Sequence, residues 1–363
     1  MLAIVLFVVG LGLLVAGADL LVRGASRLAL AAGVTPLVIG LTVVAFGTSA
    51  PELAVTTAAS LGGEPDLALG NVVGSNIFNV LVVLGASAAV APLLVSRRLI
   101  RLEVPLLTIT AVLVLLLALD GRVSRPEGAF LLAGAFGYTG LLLRQTLRER
   151  PGAGRDPAAP LDRAAARRAR LPALLLDAFL IGLGLACLVI GSGWLVDGAR
   201  TFARALGVTE LVIGLTIVAA GTSLPELATS VVAAIRGERE MAVGNIIGSN
   251  IFNTLLILGA AAFVAPGGVP AAPEAVRFDI PVMIAVSFAC LPVFFTGLRI
   301  ARWEGALFLA YYFAYTAYII LAATEHEAFD AYKAAMLYFA LPLTAITLLV
   351  VLARNRNATE AAG

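Results

Sequence analysis

The chain has 363 residues, of which 60% are hydrophobic and 13% charged, with a formal net charge of +2 and a mean hydropathy of +1.00. This composition excludes an ordinary soluble globular domain, which would need helices apolar on every side repeated along the whole chain. It indicates an all-α polytopic membrane protein, with the lipid bilayer and not nucleic acid as its surroundings.

Apolar runs of about 20 residues, the length that crosses hydrocarbon as a helix, recur along the chain. Apolar periodicity and its breaks predict helices near 2–22, 33–60, 67–92, 102–119 and 127–145. No basic residue precedes the apolar run from Leu2 to Val15, so the first is expected to be a retained helix and not a signal peptide. Residues 146–171 mix Pro and Ala with many Arg; the segment is too short for a folded domain and too basic to enter a bilayer. Helices then follow near 172–196, 207–235, 241–264, 279–297 and 303–323. A further run at 334–353 has no partner in the first half. The expected division is a first half, 1–145, a cytoplasmic Arg-rich linker, 146–171, a second half, 172–323, and an extra helix with its tail, 324–363. Cys187 and Cys290 lie in apolar runs without paired spacing and read as small buried hydrophobes. The single histidine, His326, makes a His-based metal or catalytic cluster improbable.

Residues 33–79 and 207–253 align without a gap at an offset of 174, and 30 of the 47 positions are identical. Gly10, Leu11, Gly17 and Leu21 recur at the same offset as Gly184, Leu185, Gly191 and Leu195. Five helices are an odd number, so the second half is expected to cross in the opposite sense. The result is a ten-helix (5+5) inverted repeat plus an eleventh, C-terminal transmembrane helix, an arrangement that places a substrate site near the midplane. With the linker in the cytoplasm, 19 of the 25 Lys and Arg residues fall inside, as the positive-inside rule asks. The N-terminus is then outside and the C-terminus cytoplasmic, in a multi-pass protein of the cell membrane.

Each copy centres on Gly-Thr-Ser-x-Pro-Glu, at 47–52 and 221–226, and closes with Gly-Asn-x-x-Gly-Ser-Asn-Ile-Phe-Asn, at 70–79 and 244–253. Proline offers no N–H to the carbonyl four residues back, so Pro51 and Pro225 should interrupt their helices. The freed carbonyls would be those of Gly47 and Gly221, with Thr48, Ala45, Thr222 and Ala219 close by. Broken backbone is tolerated at membrane depth only inside protein or beside a watery cavity. A carboxylate at a helix centre costs about 2.5 to 3.5 kcal/mol on insertion scales. Glu52 and Glu226 carry that cost with no basic partner at their depth, which leaves a cation or protons to compensate them. Calcium takes six to eight oxygens: the two glutamates supply up to four, and the Thr48 and Thr222 carbonyls bring the count to six. No sulfur or imidazole is in the motif, which argues against zinc or copper. Ser49, Ser223, Ser75 and Ser249, with the Ala45 and Ala219 carbonyls, are neutral oxygens suited to sodium. The four-residue spacing of Ser75 to Asn79, and of Ser249 to Asn253, puts each pair on one helix face. The glycines at 70, 74, 244 and 248 read as sites of close helix packing.

These doubled motifs resemble the alpha repeats of the sodium/calcium exchanger family, within the cation/calcium antiporters, in a prokaryotic form without a regulatory domain. The resemblance implies calcium at Glu52, Glu226, Thr48 and Thr222. It implies sodium at Ala45, Ser49 and Ser75 in one half and at Ala219, Ser223 and Ser249 in the other, with Asn79 and Asn253 flanking the centre. It further implies that access alternates as the first and sixth helices slide past the core. Many relatives carry Asp where this chain has Asn253, and two formal charges instead of three favour potassium independence. The expectation is therefore a sodium/calcium antiporter with transported ions and no cofactor. The alternative is exchange of calcium, or another divalent cation, for protons. No catalytic triad, hydrolase metal spacing or nucleotide loop suggests an enzyme.

Overall fold

The computed structural model describes residues 2–62, 66–149, 160–208, 213, 216–217, 219–295 and 297–345. The first apolar run forms α1 (Leu2–Ala32), ten residues longer than expected. Charge ends a membrane span but not a helix: Arg23 and Arg27 lie one turn apart on an exposed stripe, and Arg23 pairs with Asp19 at 2.8 Å. The stop comes at Gly33, at φ +68°, where the Val34 N–H reaches back to the Ala29 carbonyl at 3.0 Å, a glycine-terminated helix cap. The second half repeats the device. Helix α7 (Pro160–Ala205, after the elements below) stops before Gly207, at φ +78°, and the Val208 N–H reaches the Ala203 carbonyl at 3.0 Å.

Between them run α2 (Pro36–Thr48) and α3 (Ala50–Leu61), bent by 42° at their junction, then α4 (Leu67–Val90) and α5 (Leu99–Ala118), then α6 (Arg125–Glu149). After α7 come a short turn at Ala219–Gly221, α8 (Leu224–Ile235), and α9 (Arg239–Val264), α10 (Ala275–Phe295) and α11 (Arg302–Ala323). Helix α4 contains a π-helical turn at Asn79–Leu84, and α9 contains one at Asn253–Ile257. The two turns begin at equivalent asparagines.

Seven of these helices are long and apolar enough to cross a membrane, or eight if the bent pair α2–α3 is one span. The count among the described residues falls short of the expected ten at two places. Glycines, Tyr138 and Thr139 dilute the apolar run of α6, and α8 is too short by itself, with most of the residues at 209–218 outside the described ones. The linker is also narrower than expected, since α6 reaches Glu149 and α7 starts at Pro160; residues 150–159 lie outside the described residues. The extra C-terminal run begins early, as α12 (Phe329–Ala335), and continues through a π-helical turn at Met336–Ala340 to residue 345. Tyr311 anchors it to α11, donating to Thr344 Oγ1 at 2.6 Å. The rest of the expected helix, 346–353, lies outside the described residues.

Burial sorts the helices. Along their apolar windows, α4 is 72% and α9 83% buried, against 28% for α1 and 22% for α7, so α4 and α9 form the centre and α1 and α7 flank it. The α1–α7 pair is antiparallel and very close. Gly10 faces Gly191 and Leu195, Gly17 faces Gly184 and Leu188, and Gly24 faces Asp177. Gly10 and Gly184 are equivalent by the offset of 174, as are Gly17 and Gly191, so the interface maps onto itself when the halves exchange. Two short antiparallel strand pairs also link the halves. The strand after α4 (β1, Leu93–Leu94) pairs with the strand before α11 (β4, Arg299–Ile300). The strand before α6 (β2, Arg122–Val123) pairs with the strand after α9 (β3, Val269–Pro270).

One end of α1 is also tied to the second half by polar contacts. Asp19 pairs with Arg236, and the Ser26 hydroxyl donates to Glu238 at 2.9 Å. Of the two cysteines, Cys290 is buried, Cys187 is partly buried, and both are free thiols.

A Cβ at Gly17 would sit 2.7 Å from the Gly184 carbonyl oxygen, whereas one at Gly12 would meet nothing within 4 Å. Gly17→Ala should therefore destabilise the detergent-solubilised protein by about 1–3 kcal/mol, the usual range for overpacking. Gly12→Ala should leave the melting temperature unchanged. Thermal unfolding of the two variants side by side checks this.

Candidate functional site

The site is built where the helix break of each half meets the other half. Pro51 occupies the first turn of α3, where its missing N–H costs nothing, and the backbone turns at Ser49, at φ −82° and ψ −1°. Ser223 takes the same role at φ −94° and ψ 7°, with Pro225 in the first turn of α8. A serine at such a position ordinarily accepts a hydrogen bond from its own helix, and neither of these does. Each hydroxyl instead reaches across to the opposite half. Ser49 donates to Glu226 Oε1 at 3.0 Å, and Ser223 donates to Glu52 Oε1 at 2.7 Å.

Glu52 is 1% and Glu226 0% exposed, and the two carboxyls are close enough to interact. Among the described residues, no arginine or lysine pairs with either. Glu103 shows the contrast: it is equally buried, yet it has Arg98 at 3.5 Å and the Tyr138 hydroxyl at 3.2 Å. Glu52 and Glu226 each keep one oxygen, Oε2, without a hydrogen-bond partner.

The neighbouring neutral groups share this property. Ser75 Oγ, Ser249 Oγ, Asn79 Oδ1 and both amide atoms of Asn253 are buried without a partner. Ser75 lies beside the Glu52 carboxyl but closes no hydrogen bond of good geometry with it. Buried polar groups are nearly always satisfied. Orphans gathered on residues of two repeated motifs mark a place suited to a guest that accepts oxygen lone pairs. Among the described residues there is no group of three or more His, Cys, Asp or Glu that could hold a metal, so any cation here must lean on neutral oxygens as well as the two carboxylates.

The Thr48 hydroxyl lies beside the Glu226 carboxyl, and the hydroxyls of both threonines face asparagines of the opposite half. Thr48 is fully buried, and its hydroxyl faces the Val44 carbonyl at 3.1 Å, the Ala45 carbonyl at 3.3 Å and Asn245 Oδ1 at 3.2 Å. The Thr222 hydroxyl faces Asn71 Oδ1 at 3.3 Å. Ala45 starts the turn before the first break and Ala219 the turn before the second.

Four asparagines to which the sequence reading gave no role complete the assembly. Asn71 donates to Thr56 Oγ1 at 2.8 Å, and its equivalent Asn245 donates to Ser230 Oγ at 2.9 Å. Asn79 donates to Asn250 Oδ1 at 3.0 Å, and Asn250 donates to the Asn76 carbonyl at 3.3 Å. The signal for them was present, because all four are unchanged between the two copies. The glycines of the second copy are packing sites, as expected: a Cβ at Gly244 would lie 2.7 Å from the Leu37 carbonyl oxygen, and one at Gly248 would lie 2.9 Å from Ala45 Cβ; those of the first copy are not, since a Cβ at Gly70 or Gly74 would meet nothing within 4 Å.

A family model described as sodium/calcium exchanger protein matches residues 2–144 and 176–321. The chain is 40% identical over 253 residues to the inner membrane protein YrbG of Escherichia coli (strain K12), covering 68% of this chain and 75% of that protein. It is 35% identical over 300 residues to the sodium/calcium exchanger MaX1 of Methanosarcina acetivorans, covering 75% and 85%. Its fold is similar to the solved structure of the sodium/calcium exchanger from Methanococcus jannaschii, with a TM-score of 0.72 and 32% identity, over 87% of this chain and 98% of that one.

Two carboxylates buried beside orphaned oxygens should make the folded state sensitive to hard cations. Calcium at about 100 times its dissociation constant should stabilise the purified protein by about 2.7 kcal/mol, read as a rise of several degrees in melting temperature. Glu52→Gln and Glu226→Gln should each remove most of that rise. An undiminished rise in both variants would place the cation elsewhere.

Proposed function

The chain belongs to the sodium/calcium exchanger family, and we propose that it is an antiporter that exchanges sodium for calcium across a membrane by alternating access. The observation that carries this reading is the reciprocal crossing of Ser49 to Glu226 and Ser223 to Glu52. It makes one site from two half-sites and leaves each glutamate a free oxygen.

In this reading Glu52, Glu226 and the carbonyls of Thr48 and Thr222 hold calcium. Its two positive charges balance the two carboxylates, and its need for six or more oxygens is met with water. Ala45, Ser49 and Ser75 hold sodium in one half, and Ala219, Ser223 and Ser249 hold it in the other, while Asn79 and Asn253 flank the centre. Because both ions use the same glutamates, full occupancy by one excludes the other. A site neutralised by either ion crosses apolar surroundings far more cheaply than a bare pair of anions, which couples reorientation to loading. The uncharged amides of Asn79 and Asn253 add no third anion, which supports exchange without potassium.

The architecture we infer is two inverted halves, 1–145 and 172–323, joined by a cytoplasmic linker at 146–171 and followed by an added helix and tail at 324–363. The antiparallel α1–α7 pair and the crossed strand pairs support it. The lightly buried α1 and α7 are the elements that slide past the α4–α9 core. The bias of arginines toward the linker side supports an external N-terminus and a cytoplasmic C-terminus in the cell membrane.

Proton/calcium exchange is the second reading, since Glu52 and Glu226 could trade calcium for protons. The unpartnered hydroxyls of Ser75 and Ser249 favour sodium, because proton exchange needs only the carboxylates. Calcium uptake into sodium-loaded proteoliposomes decides between them. Sodium coupling predicts uptake that requires the outward sodium gradient and falls at least 100-fold in Glu52→Gln. Uptake that ignores sodium and follows an imposed pH gradient would establish the proton reading.

A further inference from the structure

We propose that Asn245 is a positioning residue that sets sodium affinity by drawing the Thr48 hydroxyl away from the Ala45 carbonyl, which ligates sodium, and that Asn71, which receives the Thr222 hydroxyl, has the equivalent role in the other half. The inference rests on the sodium/calcium antiport reading and extends it to residues that touch neither ion.

The Thr48 hydroxyl has one proton and three acceptors at hydrogen-bond geometry, the Val44 and Ala45 carbonyls and Asn245 Oδ1, at 3.1, 3.3 and 3.2 Å; it also lies beside the Glu226 carboxyl but closes no hydrogen bond of good geometry with it. A threonine in a helix ordinarily donates back to a carbonyl three or four residues earlier. The Ala45 carbonyl already accepts the Ser49 N–H at 3.1 Å. A carbonyl oxygen has two lone pairs, so a second hydrogen bond from Thr48 would leave it nothing for a cation.

Asn245 changes the outcome. It is fully buried, and its amide nitrogen is fixed by Ser230 Oγ at 2.9 Å. Among the described residues, Thr48 is the one donor its oxygen has. An orphaned buried amide oxygen costs more than an unfilled second lone pair on a carbonyl that is already bonded. The proton therefore goes to Asn245, and the Ala45 oxygen stays open. The other half repeats the asparagine contacts: Thr222 donates to Asn71 Oδ1 at 3.3 Å and Asn71 donates to Thr56 Oγ1 at 2.8 Å. Asn71 and Thr222 are only half-buried, so water can replace their contact, and the effect there is smaller. Each asparagine lies in one half and acts on the broken helix of the other, so each half tunes its partner's sodium site.

The test measures sodium half-saturation of sodium-driven calcium flux, and calcium half-saturation of calcium/calcium exchange, in proteoliposomes. Asn245→Ala should raise the sodium value by about threefold to tenfold, the effect of one hydrogen bond, and move the calcium value by less than about twofold. Asn71→Ala should shift sodium in the same direction by less. Adding Thr48→Val to Asn245→Ala removes the competing hydroxyl and should restore the sodium value. Equal shifts for both ions, or no restoration by Thr48→Val, would show a merely structural role and overturn the inference. If Asn245→Ala does not fold, Ser230→Ala, which loosens the same amide, should raise the sodium value about twofold, and an unchanged value there would overturn the inference. Wild-type flux independent of sodium would instead overturn the antiport reading on which it rests.

Discussion

Two carboxylates sealed into an apolar interior, without a basic partner among the described residues, are the constraint around which the rest of this protein is arranged. Glu103 shows how such a charge is handled when its task is structural, with an arginine and a tyrosine hydroxyl brought to it. Among the described residues, Glu52 and Glu226 each accept one hydrogen bond of good geometry, from a serine hydroxyl, enough to orient a carboxylate and far too little to neutralise it. In the antiport reading, the transported ions meet their remaining cost. The helix breaks follow from this need, because interrupting α2–α3 frees carbonyl oxygens at the depth where the charge sits. So does the dense centre, since α4 and α9 must screen broken backbone from lipid.

Duplication supplies the site's economy. A single break offers one carboxylate, one serine and a few carbonyls, too few for a hard divalent ion. Two breaks related by exchange of the halves double that inventory and let each half hold the other in place. The contacts at the centre are correspondingly mutual. Serine to glutamate, threonine to asparagine and asparagine to serine or threonine each occur twice with the halves exchanged. The glycine-lined α1–α7 interface repeats the pattern at the periphery.

How much of this was legible in the amino-acid order depended on the range of the interaction responsible. The breaks at Ser49 and Ser223 could be read because proline's missing N–H acts within one turn. The glutamates could be read because no basic residue shares their depth, which is visible in the sequence alone. The ends of α1 and α7 lie beyond the expected ones because arginine bounds a membrane span and not a helix, and the physical stop is a glycine with positive φ some ten residues on. The π-helical turns at Asn79 and Asn253 left no local signature. Asn71 and Asn245 were unchanged in both copies, yet their partners Thr222 and Thr48 lie about 150 to 200 positions away, and no periodicity reports a contact of that span.

The tie between α1 and the second half is where the duplication is not faithful. Asp19 pairs with Arg236, but the positions equivalent to them by the offset of 174 are Gly193 and Gly62, which carry no charge at all. A machine made of two identical halves would have two mirror-image resting postures of equal energy and would spend half its time in each. An ion pair at one end with glycine at the other lifts that degeneracy, and every 1.4 kcal/mol it contributes changes the ratio of the two postures tenfold. In the antiport reading, a symmetric ion-binding core thus sits in an unsymmetrical frame, and the direction in which the empty protein waits would be set at its periphery, not at its centre.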